Sequence, residues 1–449
     1  MMTVSGTHAA PVARIGAGAG FAGDRVDPAV ALAASGEVDA VVLECLAERT
    51  LLPAIKARAD NPQAGFDPRL RRRLTPLLPA AHANGCRIVS NLGGANPAAA
   101  GLAIAALAAQ LGLTGQRIAA VEGDDVMAQQ QHIAWVRPVQ GRLVGAHAYL
   151  GSGPLSDALE QGANVVVTGR VADSALFAAV ARRHLVPGEQ ALAGAISVGH
   201  LLECGGQLTG GNYEPIGGAG AAGNRLTAQD FARLGYPLAD VYADGSADIR
   251  VLDGAPGIVD ALTCSLQLLY EVHDPARYAT PDLIVDFSGV TFRQTGPRQV
   301  HMSGARSLGP PPTLKVAGFL ELPGFVADCE IGFAGSAAFE RATLAAETLK
   351  LRLSDWPAGD IVVDVVGLDS VLRAGSVRAA PGAELRVHVS ARCTDLEQAQ
   401  IVEDEVYALT LSGPAGGCSV RSERRPRIEV LDGFIAASRI EPRILWSRS

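Results

Sequence analysis

Residues 199–213 combine an acid, a thiol and several glycines at the end of an apolar, helix-compatible stretch. Glu203 and Cys204 are neighbours there, so a proton-transfer group and a nucleophile would lie at one point. Thr209, Gly210 and Gly211 follow in a turn, where glycine lets a ligand or another backbone approach closely. We interpret the segment as one wall of a ligand pocket, with a helix C-cap and an irregular connection as the alternative.

Cys204 itself has two interpretations. A lone cysteine is more often a small buried hydrophobic residue than a reactive one. It becomes a nucleophile only if a base such as His200 lies close enough to remove its proton. Lys315 is one of three lysines beside 35 arginines, so it is a second residue of interest, although a strand-edge lysine is the ordinary interpretation.

A glycine turn at residues 18–23 fits the GxGxxG pattern directly after a predicted strand. Glu44 lies 21 residues beyond its last glycine, at the end of the next predicted strand. This is the layout of a dinucleotide site with an acid on the ribose. However, Asp24 follows at once, and an aspartate at a helix start would repel a pyrophosphate. A nicotinamide site, a site for another anion and a structural turn all stay open.

Further polar groups follow other predicted strands. Glu44 lies inside an apolar run and needs a partner if it is ionised. Asp124 and Asp125 suit Mg²⁺ or ligand hydroxyls, although aspartate is equally common as a helix N-cap. Arg170 offers a planar fork for a carboxylate or phosphate, and Asp173 joins it or simply caps the next helix.

Strands and helices must position these polar side chains. Through about residue 205, short apolar strands alternate with Ala/Leu-rich helices. We expect strands at 13–17, 39–46, 87–91, 117–122, 143–148 and 164–168, and helices at 27–35, 70–83, 98–111, 155–161 and 174–184. This alternation predicts an α/β fold with a doubly wound, mostly parallel sheet covered on both faces. Ligands bind beyond the carboxyl ends of such strands. Because the polar clusters lie at those ends, we expect one cleft.

The second half is strand-rich after a Gly/Ala-rich passage at 217–223 and a short helix near 228–234. We expect strands at 282–294, 299–304, 313–320, 326–332, 361–368, 385–391 and 419–430, with helices at 337–353 and 395–411. From residue 326 the order is β-α-β-β-α-β, the split βαβ arrangement. The sequence therefore predicts a ligand-binding α/β domain at 12–240 and an α+β domain at 241–449.

Composition narrows the class of protein. An apolar fraction of 48% and a charged fraction of 19% are typical of a globular chain. The net charge of −8 with scattered basic residues argues against nucleic acid or an anionic membrane as partner. Seven dispersed cysteines without CxxC spacing indicate reduced thiols in a cytoplasmic protein. No apolar run is long enough for a membrane span.

Several segments together resemble the acyclic terpene utilization (AtuA) family, in order and over nearly the whole chain. They are residues 18–25, 44–50, 61–68, 91–97, 122–126, 148–151, 168–174, 199–211, 268–275 and 413–417. The resemblance implies a cytoplasmic role in terpenoid-type catabolism or secondary metabolism through coenzyme A thioesters. Many relatives carry a further C-terminal module, which we expect a separate small protein to supply here. Relatives also tend to have a Thr-Gly-Gly turn where residues 253–258 differ, so the standard terpene substrate does not simply carry over.

We therefore expect an enzyme acting on a branched or hydroxylated carboxylate, as an acyl-CoA thioester, by a lyase- or hydratase-type step. Glu203 or Glu44 would move a proton, with Cys204 as the candidate nucleophile. The expected substrate-binding residues are Gly18, Gly20, Gly23, Arg25, Asn91, Asp124, Asp125, Arg170, Asp173, Thr209, Gly210 and Gly211. The alternatives are an NAD(P)-dependent oxidoreductase and a non-catalytic subunit completed by a partner. We also expect a homo-oligomer, and metal dependence stays open.

Overall fold

The computed structural model describes residues 10–212, 226–357, 359–371 and 384–449. The predicted passage at 217–223 lies outside these residues. The chain divides into two compact units. Unit 1 comprises the described residues up to Arg137, Gly145–Gly318 and Leu431–Ser449, and unit 2 comprises Pro138–Val144 and Phe319–Val430. These bounds differ from the predicted domains 12–240 and 241–449, because strands beyond residue 241 extend the N-terminal sheet.

The elements are numbered along the chain. The strands are β1 Ala13–Ala19, β2 Ala40–Leu43, β3 Arg87–Ser90, β4 Arg117–Glu122, β5 Ala134–Trp135, β6 Arg142–Ala148, β7 Val165–Thr168, β8 Pro237–Val241, β9 Ala247–Val251, β10 Tyr278–Ala279, β11 Ile284–Asp286, β12 Thr291–Gly296, β13 Gln299–Ser303, β14 Arg306–Ser307, β15 Thr313–Ala334, β16 Ile361–Val366, β17 Glu384–Cys393, β18 Cys418–Ala436 and β19 Arg443–Arg448. The helices are α1 Asp27–Ser35, α2 Glu48–Asp60, α3 Leu70–Ala83, α4 Pro97–Gln110, α5 Gly153–Glu160, α6 Asp173–Ala181, α7 Glu189–Leu202, α8 Ala228–Ala232, α9 Ala261–Leu269, α10 Ala338–Arg352 and α11 Leu396–Ser412.

Unit 1 is built on a large sheet with the strand order β12-β13-β9-β8-β1-β2-β3-β7-β4-β19. Its centre, from β1 to β4, is parallel. Antiparallel strands extend both sides: β8 pairs with β1, and β19 pairs with β4. The parallel centre follows from the sequence, since strands such as β2 (Ala-Val-Val-Leu) are apolar throughout and buried on both faces.

Two apolar cores cover the two faces of this sheet. Helices α1, α3 and α4 pack on one face, and helices α5, α6 and α7 pack on the other. Successive residues of a strand point into opposite cores. In β2, Val41 and Leu43 pack in the core that contains α1, α3 and α4, and Val42 packs in the core that contains α5, α6 and α7. The predicted doubly wound, mostly parallel fold is confirmed.

Helix α2 was not expected from the sequence, which indicated only a polar turn after the second strand. It begins at Glu48, where the Thr50 hydroxyl accepts a hydrogen bond from the Ala47 amide at 3.0 Å. Pro53 lies in its second turn, inside the helix, where it has no backbone N–H to donate to the preceding turn. Because α2 follows β2 directly, it forms part of the carboxyl edge of the sheet.

Unit 2 contains the split βαβ arrangement that the sequence predicts. Strands β16, β17, β15 and β18 are neighbours in that order, and α10 and α11 cover one face with a core of their own. The predicted strands 313–320 and 326–332 form one strand, β15, in which the intervening Gly324 adopts a positive φ of 88° that glycine tolerates. Among the described residues, no helix has the length and apolarity to cross a membrane.

Candidate functional site

The ends of β2 and β3 are tied together by Asn91. Its Oδ1 accepts a hydrogen bond from the Cys45 amide at 2.7 Å, and its Nδ2 donates to Glu44 Oε1 at 3.0 Å. The amide of Leu46 donates to the same carboxylate oxygen at 2.8 Å. Glu44 is therefore held in a buried position at the carboxyl edge of the sheet.

Arg170, after β7, lies buried beside Glu44. Its guanidinium donates to the carbonyls of Val171 and Leu46 and to the carboxylate of Asp173. It also lies 4.6 Å from the centre of the Tyr149 ring. The guanidinium of Arg170 thus lies at the carboxyl edge of the sheet, but its hydrogen bonds are made to groups of the protein itself.

Helix α7 brings His200 and Glu203 to the same edge. A side chain at Gly199 would place its Cβ 2.3 Å from the Ser174 carbonyl oxygen. The glycine therefore lets α7 lie close against α6, which begins at Asp173. As a result, the last turn of one helix and the first turn of the next bring Glu203 and Asp173 to the same pair of cavities.

His200 and Glu203 form a buried pair that shares a proton. The imidazole Nε2 lies 3.1 Å from the Leu268 carbonyl oxygen, which only accepts hydrogen bonds, so Nε2 carries a proton. The Nδ1 atom lies 2.8 Å from Glu203 Oε1. One further proton must lie between these two atoms, either on the imidazole or on the carboxyl, for this contact to be a hydrogen bond.

The surroundings favour retention of this proton. Burial alone would lower the pKa of His200, but the charge of Glu203 and its hydrogen bond raise that pKa above the ordinary value. Tyr278 and Phe287 pack around the imidazole, with ring centres 4.8 and 5.7 Å away. The second carboxylate oxygen of Glu203 is buried and has no hydrogen-bond partner in the described structure.

Two cavities of about 460 and 430 Å³ lie at this edge. Their shared lining residues are Ala47, Arg49, Asp173, Glu203 and Glu271. The first cavity also contacts Glu44, Cys204 and Gly20, and the second contacts Arg170, His200 and Lys315. Both volumes are within the range of about 300–1,000 Å³ for small-molecule sites.

The carboxyl groups of the edge have displaced pKa values. Burial raises the pKa of Glu44, and Arg170 only partly opposes it. Burial also raises the pKa of Asp173 well above its ordinary value, with Arg170 opposing and the nearby Glu44 and Glu203 adding to the rise. In Glu48 burial is outweighed by the Tyr149 hydroxyl, which donates a hydrogen bond and lowers the pKa. Carboxyls with raised and lowered pKa values are thus placed side by side, as general acid–base chemistry requires.

Cys204 does not have the environment of an activated thiol. Burial, followed by the charge of Glu203, raises the pKa of Cys204 to about 12. His200 bonds to Glu203 through Nδ1 and donates to the Leu268 carbonyl through Nε2, and the described structure gives it no hydrogen bond to the thiol. A neutral thiol at physiological pH is a weak nucleophile.

Comparison with known protein families gives a single assignment for nearly the whole chain. The model of the acyclic terpene utilisation family protein AtuA matches residues 13–446. The chain belongs to the AtuA family. The match includes every edge residue described above, and it confirms the resemblance inferred from the sequence. Searches of curated proteins and of solved structures gave no match.

Within this AtuA-family chain, Asp124 and Asp125 have structural partners. Asp124 is buried and accepts hydrogen bonds from His147 Nδ1 and from the Arg170 amide, each at 2.8 Å. Asp125 accepts from the Met127 amide at 3.1 Å at the start of a 3₁₀ turn. Asp124 thereby positions the backbone that carries Arg170, and neither aspartate lines the two cavities.

The glycine turn is shaped by packing and by Asp24. The Asp24 carboxylate accepts hydrogen bonds from the amides of Gly20 and Arg25, each at 2.8 Å. A phosphate would compete with this carboxylate for the same donors. Side chains at Gly18 and Gly20 would clash with β2 and with the backbone of Cys204, respectively. The predicted dinucleotide role therefore draws no support from the geometry of this turn.

The remaining predicted substrate-binding residues form two groups: those that line the first cavity and those that have local structural contacts. Arg25 and Gly211 line the first cavity, although Arg25 also pairs with Asp27. The hydroxyl of Thr209 donates to backbone carbonyls of Gly206 and Gly235. Three further residues are positioned by local geometry: Gly23 next to the Phe21 ring, Gly210 in a left-handed conformation, and Asn91 against Glu44.

Sequence reasoning missed Tyr149, Tyr278 and Glu271 as wall residues of the second cavity. Tyr278 and Glu271 follow α9, and this region gave no strand–helix alternation that would mark an edge. Within the described ranges, no group of three or more His, Cys, Asp or Glu side chains is arranged to hold a metal ion. Homo-oligomer formation stays a prediction, and metal dependence stays open.

We expect Gly20→Ala to destabilise unit 1 by about 1–3 kcal/mol, because added volume in a packed region forces backbone shifts. The new Cβ would lie 2.4 Å from the carbonyl carbon of Cys204. Gly153→Ala is the matched control, since no atom lies within 4 Å of its Cβ position. Denaturant unfolding of both variants measures the difference. Equal unfolding free energies would show that the Gly20–Cys204 contact is not tight.

We expect the wild type to lose stability relative to Glu44→Gln as the pH rises. The pKa of Glu44 is raised in the folded state. Its stabilising contribution is therefore complete below the unfolded pKa of about 4.3 and is lost as the pH rises through the folded pKa. The amide keeps an acceptor oxygen for Asn91 and Leu46 but does not ionise. Thermal melts of both proteins between about pH 4.5 and 8 test this, and a pH-independent difference would contradict it.

Proposed function

We propose that this AtuA-family protein is an acid–base enzyme of the lyase or hydratase type, acting on a branched or hydroxylated carboxylate carried as a coenzyme A thioester. Membership of the acyclic terpene utilisation family supports a branched carbon skeleton for the substrate. The two cavities support an elongated ligand. The observation that carries the proposal is the His200–Glu203 pair: Glu203 lines both cavities, and its buried Oε2 has no hydrogen-bond partner in the described structure.

Glu203 is the group that we propose removes a proton from the carbon next to the thioester carbonyl. His200 holds it in place through the 2.8 Å contact to Oε1, while Oε2 has no competing partner in the described structure. An ionised Glu203 next to an imidazolium is a usable base, because the pair keeps the displaced proton within the site. This positioning matches the geometry needed for a general base.

Asp173 is the group that we propose protonates the departing hydroxyl. Its raised pKa keeps it protonated at a pH where an ordinary aspartate has ionised. In the dehydration direction, Glu203 takes the Cα proton, the Cβ–O bond breaks, and the hydroxyl leaves as water with the proton of Asp173. The products are an enoyl thioester and water, and proton exchange with solvent restores both carboxyls.

Solvent deuterium incorporation tests this proposal without the native substrate. The purified protein is incubated in D₂O with a branched and a straight-chain 3-hydroxyacyl-CoA, and mass spectrometry follows the label at C2. We expect label at C2 and some enoyl-CoA with the branched probe, because both products require Cα–H cleavage. Absence of label and of enoyl-CoA with both probes would contradict the proposal.

A further inference from the structure

Arg49 is a cation at the meeting point of three cavities. It belongs to the wall of the two cavities already described and also of a third, of about 520 Å³. Its side chain is exposed, and across residues 10–212 and the later described ranges it forms no hydrogen bond or ion pair. Its neighbour Glu48 is instead bonded to Tyr149. The cation therefore remains available for a ligand.

The third cavity has apolar walls. They come from α2 and from the loop that follows it, with Leu46, Pro53, Ala54, Ala57, Ala64, Phe66 and Pro68 among the lining residues. The small side chains of Ala54 and Ala57 leave the space open. Of the polar lining residues, Asp67 has a pKa raised by burial, and it accepts a hydrogen bond from the Arg69 amide at 2.6 Å.

This combination selects for a particular ligand shape. A guanidinium binds a carboxylate or another anionic head, and an apolar cavity next to it takes a hydrocarbon chain. Arg49 and Thr50 line both the apolar cavity and the cavity that contains Glu203. A chain in the apolar cavity and a carboxylate or thioester carbonyl oxygen at Arg49 would thus leave the adjoining carbons next to the proton-transfer groups.

We infer that the cavity formed by α2 and residues 64–69 is the binding site for the hydrocarbon tail of the substrate, and that Arg49 binds the oxygen of its carboxyl group, which is the thioester carbonyl in the proposed substrate. This inference rests on the proposed function only for the reacting end of the substrate, which lies next to Glu203. Binding of an unreactive carboxylate does not require turnover. A negative result here therefore leaves the deuterium test of the acid–base chemistry unaffected, and failure of that test leaves this site intact.

Saturated fatty acids from butanoate to decanoate, below their micelle concentrations, are the probes, and calorimetric titration gives the affinity. Burial of each methylene should strengthen binding about fourfold until the cavity is full. Affinity independent of chain length would overturn the tail site. Primary alcohols of the same lengths serve as uncharged counterparts.

Two variants separate the tail from the head. Ala57→Phe should remove the dependence on chain length for both acids and alcohols, and Ala59→Phe, exposed on the same helix, is its control. Arg49→Gln should weaken the acids by about tenfold or more and leave the alcohols unchanged, with Arg71→Gln on α3 as its control. If Ala57→Phe leaves the chain-length dependence intact, or if Arg49→Gln weakens acids and alcohols equally, the assignment is wrong.

Discussion

Replacing Glu203 by glutamine should lower turnover by about 10²–10⁴, the usual contribution of a general acid or base. The amide has nearly the same shape and can still bond to His200 Nδ1, but it exchanges no proton at neutral pH. The fold should be retained, because the surrounding packing of α7 does not depend on the charge. Label at C2 and a thermal melt, measured on the same sample, separate loss of chemistry from loss of structure.

Cys204→Ser is the informative comparison for this variant. The raised pKa of the thiol, to about 12, keeps it protonated, so we expect a mild effect on rate. A fully active Glu203→Gln protein together with an inactive Cys204→Ser protein would reverse the two roles. Covalent catalysis at Cys204 would then be the better account.

Arg170→Met should destabilise unit 1 by about 1–3 kcal/mol, the cost of leaving buried hydrogen-bonding groups without their partner. The side chain of Arg170 is 2% exposed, whereas that of Asp173 is 38% exposed, so the lower end of this range is expected. The substitution also leaves the carbonyls of Leu46 and Val171 without their donor. Denaturant unfolding measures the loss.

The matched control is Arg183→Met, which removes a surface pair with Asp157 and should change the unfolding free energy little. The sequence alone favours a different result, in which Arg170 grips a ligand anion and its loss spares the fold. Equal stability of Arg170→Met and wild type, with weakened ligand binding, would restore that interpretation.

The sequence predicts which polar residues meet at one edge of the sheet, for a simple physical reason. Parallel strands that are apolar throughout must be buried, and polar residues directly after them must meet at one edge of the sheet. This reasoning places Glu44, Arg170 and Asp173 close together before any coordinates are considered. It also marks Glu203 and its glycine turn, because the apolar run of α7 stops there.

Partners far apart in the chain are what the sequence does not reveal. The Glu48–Arg49 pair suggests a surface ion pair, yet Glu48 bonds to a tyrosine 101 residues away, and Arg49 has no ion-pair partner among the residues that the structure describes. Asp124 has the composition of a ligand-binding carboxylate, but its oxygens meet the His147 ring and the Arg170 amide. Such choices depend on which backbone and side-chain donors the tertiary fold brings near each carboxylate.

The protonation state of His200 tests the central claim most directly, and ¹⁵N NMR of histidine-labelled protein measures it without a substrate. The account predicts that Nε2 stays protonated throughout, because it faces the Leu268 carbonyl, and that Nδ1 loses its share of the second proton only above the ordinary histidine value of about 6.5. Glu203→Gln should lower that transition. A bare Nε2, or a transition below about 6.5 that Glu203→Gln does not move, would contradict the shared proton and the acid–base role built on it.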